Sequence, residues 1–94
     1  MSNREKYIEK MKLQLDELDE KMAKLEAKEQ EAKQDAREKY KEEMTKLRQQ
    51  SQIAKAKLAE LKAASEATWE NMVTEMEKIR DAFSHSFSYF KSQL

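Results

Sequence analysis

A chain that does acid–base, nucleophilic or metal chemistry must carry the residues for it, and here they are few. Histidine occurs once, at His85, and cysteine does not occur. Asp81, one helical turn earlier, is the carboxylate that would share a face with His85. Two ligands from one helix do not complete a zinc site. The absence of Cys excludes disulfides and thiolate ligands but assigns no compartment. The 19 acids are interleaved with 19 bases. Paired catalytic carboxylates need surroundings that drive their pKa values apart, and alternating charges read instead as a solvated face. With no Gly, no glycine-rich phosphate loop can form. The residues predict no catalytic, cofactor-binding or metal site, and a chain that is not an enzyme.

Composition bounds the rest. At 94 residues the chain is one domain or less. Its apolar fraction is 38% and its charged fraction 40%, with no Gly and no Pro. That is the make-up of a long helix or coiled coil rather than of a globule with many turns. Disorder is the competing reading of so much charge, but disordered segments seldom keep a helical repeat or lack both Pro and Gly. A net charge of zero argues against a nucleic-acid partner and gives no overall pull toward anionic membranes. The first residues are charged, with no apolar signal core, and no apolar run reaches transmembrane length. The expected setting is cytoplasmic.

The elements follow from the apolar spacing. Ser2 and Glu5 fit a capping box, which places a helix start at residues 2–4. Ile8, Met11, Leu15, Leu18, Met22 and Leu25 then step by threes and fours, a heptad seam over residues 4–25. Pairs such as Glu17 with Lys21, Glu20 with Lys24, Glu29 with Lys33, Asp35 with Lys39 and Glu42 with Lys46 put the acid on the favourable N-terminal side. Over residues 25–65 the period lengthens. Leu25, Ala36, Leu47, Leu58 and Trp69 recur every eleven residues, as do Leu61, Met72, Phe83 and Leu94, and Ala54, Ser65, Met76 and Phe87. Eleven residues per repeat gives a nearly straight or slightly right-handed coil. Glu29, Ala32, Ala36, Ser51 and Ala54 make the middle of this seam weak. Residues 66–94 hold Trp69, Met72, Val73, Met76, Ile79, Phe83, Phe87, Tyr89 and Phe90, and are expected to be the adhesive segment.

The expected fold is all-α. A long, nearly continuous amphipathic helix, roughly 135 Å at 1.5 Å per residue, would be too long to bury its stripe alone and would form a coiled-coil oligomer. The alternative is a helical hairpin with a turn at residues 49–52 or 63–66, where Ser65 would cap a new helix. The expected self-association interface is Ile8, Met11, Leu15, Leu18, Met22, Leu25, Leu47, Leu58, Leu61, Trp69, Met72, Met76, Ile79, Phe83, Phe87 and Phe90. The abundant Met residues suit a forgiving interface. The partner is then a second copy, with another helical protein as a further one.

The sequence also resembles small bacterial coiled-coil proteins of a stress-response family with a cyanobacterial prototype. The resemblance lies in residues 5–19 (EKYIEKMKLQLDELD), 25–28 (LEAK), Tyr40 and above all 57–72 (KLAELKAASEATWENM), around Trp69. It departs where relatives carry Gly and this chain has Glu66, and where they carry a second Trp and this chain has Arg80. The resemblance implies a small cytoplasmic, stress-associated helical protein and no catalytic or ligand residues. The expected function is a non-enzymatic, homo-oligomeric coiled coil with a structural or interaction role. The alternative is an amphipathic coat for a lipid or polymer surface, like phasins or apolipoproteins, with the Met- and Phe-rich face against that surface.

Overall fold

A computed structural model describes residues 2–31 and 34–93, without the side chains of residues 29, 30 and 34–36. The all-α class holds, but the single rod does not. The described residues form three α-helices: α1 (Asn3–Glu31), α2 (Gln34–Lys62) and α3 (Glu66–Ser92). The first starts where the capping box put it, with the Glu5 amide donating to Ser2 Oγ at 3.2 Å. Residues 49–52 lie inside α2 without a break, because a polar run with no Gly or Pro carries nothing that stops a helix. The break is at residues 63–65. There the Ala63 and Ala64 amides turn back to the Glu60 and Leu61 carbonyls at 3.1 and 3.2 Å. Ser65, extended at φ −74° and ψ 163°, then caps α3.

Contacts between helices give the topology. Glu26 meets Arg48, Asp19 meets Ser51 and Lys55, and Arg4 meets Leu61, so α1 and α2 are antiparallel. Phe90 meets Tyr40, Ser86 meets Gln50 and Glu75 meets Lys57, so α3 is antiparallel to α2. Tyr7 meets Trp69 and Gln14 meets Arg80, so α1 and α3 run parallel. The result is an up-down-up bundle of 50 × 21 × 18 Å, far shorter than a continuous helix. Its radius of gyration is 15.4 Å, against about 12 Å for a compact domain of this length.

The fold corrects the view that the stripe is too long for one chain. Two reversals stack the stripe on itself. The core takes Met11, Leu15, Leu18, Met22 and Leu25 from α1, Met44, Leu47, Ala54, Leu58 and Leu61 from α2, and Met76, Phe83, Phe87 and Phe90 from α3. Each large side chain so buried stabilises the fold by roughly 1.5–3 kcal/mol relative to exposure. The eleven-residue spacing survives within helices, as in Leu47 with Leu58, Met72 with Phe83, and Met76 with Phe87. It does not run through the turns, so Leu25 and Trp69 do not belong to one helix. Of the soft positions, Ser51 and Ala54 are buried. Ala32, Leu94 and the side chains of Glu29 and Ala36 lie outside the described residues, as do the pairs drawn through Lys33 and Asp35.

Candidate functional site

The most constructed part of the surface is the end of the bundle where α1 begins and α2 turns into α3. A helix ends with carbonyls that have no intrahelical partner and with the negative pole of its dipole. For α2 these carbonyls are met by Arg4, from the first turn of α1. Its Nη2 donates to the Leu61 carbonyl at 3.1 Å and also to the Ala64 carbonyl. The guanidinium lies 4.6 Å over the ring of Trp69, a cation–π arrangement. Trp69 in turn meets Tyr7 edge to face, with centroids 5.8 Å apart at 80°. Arg4 is thus held by α2 and α3 together. Arg4 Nε and the Tyr7 hydroxyl are buried without a hydrogen bond of normal geometry. Burial, then the Glu77 carboxylate nearby, raises the Tyr7 pKa. A cleft of about 520 Å³ opens beside this clamp, lined by Ser2, Arg4, Glu66, Trp69 and Glu70 among others. Its mixed charges favour neither an anion nor a cation.

Polar cross-links occupy the middle. Ser51, buried on α2, donates to Asp19 Oδ1 at 2.7 Å, and Lys55 Nζ reaches Asp19 Oδ2 at 2.5 Å. Gln50 Nε2 donates to Ser86 Oγ at 3.0 Å. Arg80 Nη1 donates to Gln14 Oε1 at 3.0 Å, the midpoint link between α1 and α3. Lys57 sits between Glu75 at 2.6 Å and Glu60 at 3.1 Å. The hydrogen bond to Glu75, then the one to Glu60, raises the Lys57 pKa, and the bond to Lys57 lowers that of Glu75. Along α2 one expected pair is replaced. Lys46 pairs with Glu43 at 3.5 Å rather than with Glu42.

The far end carries a smaller cleft of about 290 Å³ lined by Lys39, Tyr40, Glu43, Tyr89, Phe90 and Gln93. Tyr40 and Phe90 meet edge to face at 5.5 Å. Aromatic rings beside a carboxylate can seat a cationic group, although Lys39 on the same wall opposes one.

No family model, no curated protein and no solved structure matches the chain.

All sixteen residues expected to form a seam meet in this one bundle. Twelve are in the core, and Ile8, Trp69, Met72 and Ile79 pack against it half-buried. Their burial therefore needs no second chain. His85 is exposed, and Asp81 holds Arg80 at 3.0 Å. Among the described residues no three His, Asp or Glu side chains gather to hold a metal, and no helix is long and apolar enough to cross a membrane. The large exposed apolar residues Leu13, Ile53 and Tyr89 stand on three different helices. Sequence reasoning missed Arg4. Its only local signal is a base near a helix start, where the dipole disfavours one.

Proposed function

We propose that the chain is a non-enzymatic helical protein that acts by association, with copies of itself first, in a structural or protein-interaction role. One observation carries this reading. The apolar seam is shared by three helices, yet α1 meets α3 far more thinly than either meets α2. A terminal helix held mainly by one neighbour, as α3 is by α2, can be exchanged for the same helix of another chain. A coiled-coil oligomer assembled from this seam would use the same residues that form the bundle core. A cytoplasmic setting and a part in a stress response belong to this reading. Both rest on the resemblance centred on Trp69.

The test is light scattering in line with small-angle X-ray scattering over a concentration series. A population heavier than one 11.2 kDa chain, growing with concentration, is expected. A single-chain mass at every concentration would overturn self-association.

A second reading has its own observation. All three helices turn their apolar faces inward, and no glycine or proline locks the turn at residues 63–65. Opened there, the bundle would lay an apolar face on a lipid or polymer surface. Trp69 fluorescence would then shift blue on adding vesicles. No shift with either zwitterionic or anionic vesicles would remove this reading.

A further inference from the structure

The turn between α2 and α3 is built from residues that favour a helix. Alanine is the best helix former, and Ala63 and Ala64 follow directly on Lys62. Among the described residues none has a positive φ, so the reversal lacks the left-handed residue that commonly ends a helix. The Ser65 side chain makes no hydrogen bond to the amides of the helix it caps. Its hydroxyl pairs with Thr68 Oγ1 at 3.0 Å instead. What closes the turn comes from another helix: Arg4, on the Leu61 and Ala64 carbonyls and over Trp69.

We propose that this turn is a hinge held shut by Arg4. When Arg4 lets go, α2 and α3 continue as one helix, and two copies exchange α3, each third helix docking on the α1–α2 pair of the other. The proposal rests on the self-association reading and gives it a geometry. The partner is a second copy because only α3 carries the complement already fitted to that pair. Phe90 against Tyr40, Ser86 against Gln50 and Glu75 against Lys57 would all re-form between chains. The exchanged dimer therefore keeps the seam and differs only at the hinge, the usual condition for exchange of an element between identical chains. Its joined helix, residues 34–92, would span roughly 90 Å at 1.5 Å per residue.

The chain has no cysteine, which permits a clean test. Chains with Lys57→Cys are mixed with chains with Glu75→Cys and treated with a short bismaleimide. Each chain has one thiol, so a 57–75 product forms only when α3 of one copy lies on α2 of another. The product is expected to grow with concentration and to rise several-fold when both chains also carry Arg4→Ala. It should vanish with Glu66→Pro. Proline at the first position of α3 removes no intrahelical bond, and Ser65 already has the extended backbone that precedes proline. The closed bundle survives that change, whereas a continuous helix does not. Circular dichroism checks that each variant is folded. Should Arg4→Ala unfold, the parent pair against the Glu66→Pro pair poses the same question. A 57–75 product that persists with Glu66→Pro would overturn the hinge. Dimers by light scattering without that product would overturn exchange and leave self-association standing. Single chains in every background would overturn both.

Discussion

Helix α3 has two neighbours and is held differently by each. Against α2 it sets Phe90 edge-on to Tyr40, bonds Ser86 to Gln50 and pairs Glu75 with Lys57, so the contact runs from end to end. Against α1 it has the Tyr7–Trp69 contact near one end and the Arg80–Gln14 bond further along. A groove lined by Gln14, Glu17, Lys21, Arg80 and Asp81 lies beside that bond. Antiparallel neighbours joined by a short turn begin their packing at the turn and extend it residue by residue. Parallel neighbours have no such start. The antiparallel seam carries a ring pair, an amide bond and an ion pair spread along its length, and the parallel seam a ring pair and one amide bond.

This contrast can be broken by mutation. Phe90→Ala removes a buried ring from the α2 side and should cost about 3–5 kcal/mol, a large part of the stability of a small domain. The urea midpoint should fall accordingly, and an unchanged midpoint would refute the claim that this seam carries the fold. Gln14→Ala cuts the α1–α3 link and should cost only about 0.5–1.5 kcal/mol. A loss equal to that of Phe90→Ala would erase the difference between the seams.

The smallest effect is one of pH. Glu75 titrates below its ordinary 4.5 because of Lys57, so its contribution is present above that value and fades as the pH falls through the lowered one. Lys57 titrates above its ordinary 10.5 because of Glu75 and Glu60, so its contribution is present below that value and fades as the pH rises through the raised one. The melting difference between the parent chain and Glu75→Gln should be level across neutral pH and shrink toward both extremes. A difference that peaks near pH 7 would point to another group.

Much of the fold was legible in the sequence, because helical periodicity depends on neighbours three and four residues away. The spacing from Ile8 to Leu25 and from Trp69 to Phe90 predicts the buried faces and Ser2 the first cap, while Ser65 as the start of a new helix belongs to the hairpin alternative and not to the leading continuous rod. The reversal between α1 and α2 was not legible. A stripe that folds back on itself has the same period as one that pairs with a second copy, and the sequence there lacks the Gly, Pro or Asn that marks a turn. The small and polar residues of the middle suggest a poor seam. In fact Ser51 has its own acceptor in Asp19, and Ala54 is fully buried. Arg4 at the candidate site was illegible for a simpler reason: nothing local marks it, and its partners are far away in sequence.

That distance bears on the order in which the molecule can be assembled. The two carbonyls that Arg4 meets are 57 and 60 residues further along the chain. Closing so long a loop is entropically costly and slow relative to zipping adjacent helices. During synthesis the first hairpin can collapse before Ala64 and Trp69, which complete the grip on Arg4, have been made. The contact that fastens the molecule is therefore among the last to form, and a newly made chain passes through a period in which its third helix is uncommitted.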